Sequence, residues 1–280
     1  MEYIRTFARE FPVGAQADLV IENRTGTVTV RGDETERVRV EVVARLWAES
    51  DDEADYQADL IERGIRQEAG GVSVRAPTLS RHGLLAIFGR GPRIDYQVSA
   101  PQAIKAQVTN RTGMVEIENL TGALEAEVRS GRIRVRRIAA DVTISSRSGA
   151  VEVEAIDGSL GVQSRTGVVR IRRCSGDVSV QNRTGLVRIE EVEGELKVEA
   201  RTGAVRYDGA VRGAFDIGVR TGSIRLAIDP NSVFFLDAES NTGAVSSDFS
   251  LRRNSQGETG ERGPTVRLRT RTGSIRIVPR

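Results

Sequence analysis

Aromatic residues make up only 4% of this 280-residue chain, and it carries one cysteine, one histidine and two lysines. Each scarcity excludes something. The lone Cys174 rules out an internal disulfide and any cysteine-based metal cluster. His82, the only imidazole, has no neighbouring nucleophile or acid in sequence, so it reads as a solvent-exposed side chain rather than an acid–base catalyst. No P-loop or dinucleotide fingerprint is present, and no cofactor or metal is expected. No apolar run approaches the ~18–20 residues of a membrane span. The N-terminal MEYIRTFAREFPVG lacks the apolar segment of a signal peptide. The expectation is a cytoplasmic protein.

Charge excludes less. The formal net charge is +2, which gives no global signature of a polyanion binder. Its distribution is uneven, because residues 251–280 carry eight arginines against Glu258 and Glu261, leaving the remainder of the chain acidic. The basic residues are almost all arginine, Lys105 and Lys197 being the two lysines. With 39% hydrophobic and 29% charged residues the composition is that of an ordinary folded protein. A core poor in aromatics and rich in Val and Ile suits thin β-structure.

What is abundant is a repeat. Arg-Thr-Gly or a close variant recurs from Arg24 to Gly273, and Gly113, Gly131, Gly149, Gly167, Gly185 and Gly203 are spaced by 18 residues. Beyond Gly203 the interval drifts to 19, 21 and 30 at Gly222, Gly243 and Gly273. A fixed period of this size marks a solenoid, whose repeats bury their apolar faces against neighbours. Two and four residues after each glycine the chain is apolar (Val169 and Ile171, Val187 and Ile189), and so it is again eleven and thirteen after (Val178 and Val180, Leu196 and Val198). Alternation at period two means strands with one inward face. The fold expected is all-β: a parallel β-solenoid of about 18 residues and two short strands per coil. Apolar positions do not recur every six residues, which disfavours a hexapeptide helix. The turns lack the carboxylates that a calcium-binding β-roll requires.

The chain reads as one solenoid domain over 1–280. Residues 1–49 supply N-terminal strands and a first coil, and 50–92 an insertion. Regular coils fill 93–250, and a polar loop with a final coil follows over 251–280. Within the insertion, SDDEADYQADLIERGIRQEAGG predicts the one helix. Ser50 and Glu53 form a capping box, Ala54, Ala58, Ile61 and Ile65 form an apolar face, and Gly70-Gly71 is the stop. Strands are expected at 72–76 and 93–99. The apolar centre of PTLSRHGLLAIFGRGP, at Leu84, Leu85, Ile87 and Phe88, reads as a segment packed on the body, with contact to a membrane as its alternative. The helix is a candidate cap for the open end of the solenoid, while the last coil, TVRLRTRTGSIRIVPR, has no evident cap.

Thr-Gly belongs to the turn: glycine reaches positive φ without cost, and the Thr hydroxyls, replaced by Ser130 and Ser148, can bond turn backbone. The Asn-x-Thr sequons at Asn23, Asn110, Asn119 and Asn182 are assigned to the same turn chemistry. Charged columns alternate in sign from coil to coil (Glu116, Arg134, Glu152, Arg170; Glu118, Arg136, Glu154, Arg172, Glu190), which favours correct register. The corner column does not alternate. It comprises Arg24, Arg111, Arg129, Arg147, Arg165, Arg183, Arg201, Arg220 and Arg271. Two readings stand: donation to turn carbonyls and to Glu127, Gln163, Gln181 and Glu199, or an anion-binding stripe over Arg129, Arg147, Arg165, Arg183, Arg201 and Arg220 for phospholipid head groups, anionic glycan or nucleic acid, with no specific nucleic acid predicted. An enzyme on this scaffold needs acids clustered on one face, and here they alternate with arginine.

The segments IENRTGTVTVRG and RIDYQVSAPQAIKAQVTNRTGMVEIENLTG, with the coils as far as Thr242-Gly243, make the chain resemble the bacterial β-strand-repeat family labelled "putative adhesin", a domain of unknown function. The resemblance covers most of the chain and implies a β-solenoid; it names no catalytic or binding residues. Relatives in envelope-stress settings imply a membrane-proximal role. The reading is a non-enzymatic binding or scaffolding solenoid with a protein or anionic surface as partner, or, as the alternative, a structural unit that stacks through its terminal coils.

Overall fold

The alternation of Val and Ile with polar residues folds into strands with one inward face, in a computed structural model that describes residues 1–14, 17–68, 70–77, 91–249 and 263–280. The chain divides into two compact units, Met1–Ala140 and Asp141–Arg280. Both are mostly strand and contain stacked parallel coils, and the first also holds a helix and antiparallel pairs.

The first unit contains β1 (Glu2–Pro12), β2 (Asp18–Asp33), β3 (Arg37–Trp47), α1 (Asp51–Arg63), β4 (Ile65–Glu68), β5 (Gly71–Arg75), β6 (Arg93–Pro101), β7 (Lys105–Leu120) and β8 (Leu124–Ile138). Its strand order is β1-β3-β6-β2-β7-β8. Strands β2, β7 and β8 are parallel coils in register, with Gly26 beside Gly113 and Gly113 beside Gly131. Strand β1 lies antiparallel on β3, and β3 antiparallel on β6. N-terminal strands were expected over residues 1–49; their antiparallel pairing was not legible in MEYIRTFAREFPVG, because it depends on partners on β3.

The helix starts where expected. Ser50 Oγ accepts from the Glu53 amide at 3.2 Å, while the Glu53 carboxylate reaches back to the amide of Glu49 rather than of Ser50, at 2.8 Å. It stops earlier than the sequence suggested, at Gly64 rather than Gly70-Gly71. Ile65 therefore belongs not to the helical face but to β4, which pairs antiparallel with β5. Ala54 and Ile61 are buried. Ion pairs from Arg5 to Asp51 and Asp55 at 2.6 Å, and from Arg9 to Glu62 at 3.0 Å, hold the helix to β1. Leu84, Leu85, Ile87, Phe88 and His82 lie outside the described residues.

The second unit contains β9 (Val142–Ile156), β10 (Leu160–Cys174), β11 (Val178–Val192), β12 (Leu196–Gly209), β13 (Phe215–Ile228), β14 (Phe235–Thr242), β15 (Val245–Ser247) and β16 (Thr265–Pro279). Strands β9 to β13 follow in chain order, each displaced from the last by one repeat, so Leu160 lies beside Val178 and Val178 beside Leu196. The final coil in sequence is not the final coil in space. Strand β16 pairs with β13 on one side and with β14 and β15 on the other. The drift of the glycine interval to 21 and then 30 records this insertion.

Each long strand runs unbroken through the Arg-Thr-Gly corner, and a short second turn separates it from the next. The inner columns are almost fully buried: Val162, Val169, Ile171, Val180, Val187 and Ile189 are at most 1% exposed. Burying each such side chain contributes about 1.5–3 kcal/mol. Cys174 joins Leu120, Ile138, Ile156 and Val192 in a further buried column, as its place in the repeat predicts. Burial pushes its thiol pKa up to about 11.

At the corner, glycine does more than supply positive φ. Gly185 sits at φ 140°, and a side chain there would overlap the carbonyl oxygen of Gly167 and lie 2.8 Å from its carbonyl carbon. The same close approach recurs from coil to coil, so the column is a stack of backbones that only glycine permits. The second turn adds a feature invisible in the sequence. Arg137, Ala155, Arg173 and Glu191, six residues after a corner glycine, all adopt φ between 54° and 58°. Non-glycine residues there cost about 1–2 kcal/mol each.

Candidate functional site

Where the charged columns alternate in sign they pair within the protein; the column of Arg134 does so only as far as Arg170, after which Arg188, Arg206, Arg225 and Arg276 succeed one another. Arg134 meets Glu116 at 2.8 Å, Arg170 meets Glu152 at 3.6 Å and Arg172 meets Glu190 at 3.2 Å, each across one coil spacing. Arg31 and Arg137 both hold Glu118, at 2.7 Å each. The hydrogen bond from Arg31, aided by the charges of Arg31 and Arg137, lowers the Glu118 pKa below the ordinary carboxylate value. These columns are the register device that alternating signs imply.

The corner arginines differ. Each follows an inward-pointing residue, so its own side chain points outward at the bend. In the second unit, Arg147, Arg165, Arg183, Arg201, Arg220 and Arg271 are exposed, and the pairing of their neighbouring threonines places them on successive strands. Among the described residues, none of these six donates a side-chain hydrogen bond or forms an ion pair. Donation to turn carbonyls, to Gln163 and Gln181, or to Glu199 is therefore not what holds them; Glu199 pairs with Lys197 at 3.4 Å instead. In the first unit Arg111 is likewise exposed, whereas Arg24 and Arg129 have partners.

The threonine reading also changes. Thr166, Thr184 and Thr202 are exposed and make no side-chain hydrogen bond among the described residues, so the glycine carries the turn. The asparagines of three sequons point inward: Asn23, Asn110 and Asn182 are at most 4% exposed. Burial bars them from glycosylation and makes them part of the core. Asn110 Nδ2 donates to the Gly26 carbonyl of the preceding coil at 3.0 Å, and Asn23 Nδ2 to the Ile94 carbonyl at 3.0 Å. Neither polar atom of the Asn182 amide has a partner. Among the described residues no three His, Cys, Asp or Glu side chains converge to hold a metal ion, and no helix is long and apolar enough to cross a membrane.

Toward the β14 side the arginine face becomes concave. A cleft of about 610 Å³ opens over β11, β12, β13, β16 and β14, with Arg201, Arg220 and Arg271 along it. The strand pairings set its outer column in the order Gln181, Glu199, Gly218, Arg269, Glu239. At Gly218 that column has no side chain, which leaves a notch between Glu199 and Arg269. Asn182, Ala200, Val219 and Thr270 line the same cleft. The sequence marked the arginines of this site; it could not mark the notch, because β16 comes beside β13 only through the insertion.

No protein-family model and no curated protein matches the chain. Among solved structures it is similar to a "putative adhesin" from Bacteroides fragilis NCTC 9343, at 11% identity and TM-score 0.42 over 98% of this chain and 97% of that one. It is similar also to a "putative cell adhesion protein" from Clostridium sporogenes ATCC 15579, at 13% identity and TM-score 0.30 over 99% and 100% of the two chains. A third is a "putative lipid binding protein" from Parabacteroides distasonis ATCC 8503, at 9% identity and TM-score 0.35 over 97% and 96%.

Proposed function

We propose that this protein is a non-enzymatic binding solenoid that presents a ladder of arginines to an anionic partner near the cell envelope. The observation that carries this reading is that Arg147, Arg165, Arg183, Arg201, Arg220 and Arg271 lie on successive strands with no ion pair or side-chain hydrogen bond among the described residues, unlike the pairs Glu116–Arg134, Glu152–Arg170 and Arg172–Glu190. At a strand spacing of about 4.8 Å, adjacent guanidinium groups repel by about 0.9 kcal/mol per pair even in water. A linear or planar array of anions relieves that repulsion and gains charge-assisted hydrogen bonds. The test is retention on immobilised heparin. Replacing Arg165, Arg183 and Arg201 together with Gln is expected to abolish salt-sensitive retention, and unchanged retention overturns the reading.

A second reading, assembly through terminal coils, is favoured by one observation. Val233, Phe235 and Val245, on or beside the outermost strands β14 and β15, are 55%, 46% and 45% exposed. Light scattering that rises with concentration across the micromolar range supports assembly; a constant monomer mass removes it.

A further inference from the structure

The cleft beside Arg201, Arg220 and Arg271 is lined by more than cations. Glu239 has no ion pair or hydrogen bond among the described residues, and neither do the Asn241 and Gln181 side chains. A ligand that is only anionic, such as a phosphate chain, gains from the three arginines but meets an unpaired carboxylate. A ligand that also carries hydroxyl donors satisfies both.

A further feature points to a ligand. Gly218 sits inside β13 at a φ outside the left-handed range, and a Cβ there would meet only the Val198 carbonyl oxygen, at 4.0 Å. Neither backbone conformation nor packing requires glycine at this position, although glycine in a strand interior costs about 0.5–1 kcal/mol relative to alanine. Such a glycine marks a place where something else approaches the backbone.

From these observations we infer that the cleft binds an acidic sugar residue of an anionic polysaccharide. The carboxylate is held by Arg201, Arg220 and Arg271, the ring occupies the notch at Gly218, and the hydroxyls donate to Glu239 and exchange hydrogen bonds with Asn241 and Gln181. This rests on the arginine-ladder reading and narrows it to one ligand class at one end of the ladder.

Titration calorimetry with trigalacturonate, which has carboxylates and hydroxyls but neither sulfate nor phosphate, tests the assignment, with tripolyphosphate as the bare anion. Trigalacturonate is expected to bind the intact protein. Gly218→Leu, which fills the notch from an exposed strand face, is expected to weaken it by about tenfold or more while leaving the melting temperature unchanged. Glu239→Gln should weaken trigalacturonate and strengthen tripolyphosphate, because one ligand loses an acceptor and the other loses a repulsion. If Glu239→Gln strengthens both, the ligand is a bare polyanion and the sugar assignment falls. If trigalacturonate does not bind, or binds Gly218→Leu equally well, the cleft assignment is overturned. Heparin retention of the intact protein, measured in the same buffer, then shows whether the ladder reading survives it.

Discussion

Replacing Gly185 by alanine tests the corner stack directly. Two costs add. At φ 140° an alanine occupies backbone space that is almost exclusively glycine's, at about 1–3 kcal/mol. Its Cβ would also take the place of the Gly167 carbonyl oxygen, so the coils must separate locally. The register bonds flanking the corner, where Thr166 faces Thr184 and Val168 faces Leu186, then stretch or break, at about 1 kcal/mol each. The total is about 3–5 kcal/mol. For a protein of this size each kcal/mol lowers the melting temperature by about 2–4 °C, so a fall of about 6–20 °C is expected by circular dichroism. Gly161→Ala is the matched control. Its Cβ would meet nothing closer than Thr143 Oγ1 at 3.9 Å, and its melting temperature should hold or rise. Equal melting temperatures for the two variants refute the stacking argument.

Three further expectations are more local. Ala155→Gly relieves a left-handed residue at φ 58° but adds backbone entropy to the unfolded chain, so a net gain of up to about 1 kcal/mol is expected in denaturant titrations. Reversing Glu116 to Arg should destabilise the protein, and the exchange Glu116→Arg with Arg134→Glu should recover about 0.2–1 kcal/mol of the loss, read from a double-mutant cycle. Because the folded-state pKa of Glu118 is lowered, its contribution to stability is present above the ordinary glutamate pKa and is lost as pH falls through the lowered value; Glu118→Gln should flatten that acid-side decline in urea midpoints.

Most of the architecture was readable because it rests on two local rules that the repeat states many times over. Period-two alternation at Val169, Ile171, Val187 and Ile189 needs no partner to be recognised, and corner glycines at a fixed interval set the stacking register. Gly64 shows where local rules fail. The run IERGIRQE keeps helical composition, yet pairing between Ile65 and Val74 makes a strand of its second half. The left-handed residues six positions after Gly131, Gly149 and Gly185 were hidden for a related reason: Arg137, Ala155 and Glu191 share no propensity for that conformation. Of the candidate site, the arginine column was legible as an unexplained repetition of like charge. The cleft was not, since the approach of Arg269 and Arg271 to Gly218 depends on long-range strand order.

The position of β16 gives the second unit an order of events. Strands β14 and β15 are made before β16, yet their backbone partners are on β16. They must wait in the growing chain until residues 265–279 emerge and slide between them and β13. Arg269 and Arg271 arrive on that same wedge, while Glu239 and Asn241 wait on the strand it anchors. The cleft is therefore complete only once residues 265–279 are in place, and a chain interrupted before residue 265 would lack the strand that carries Arg269 and Arg271.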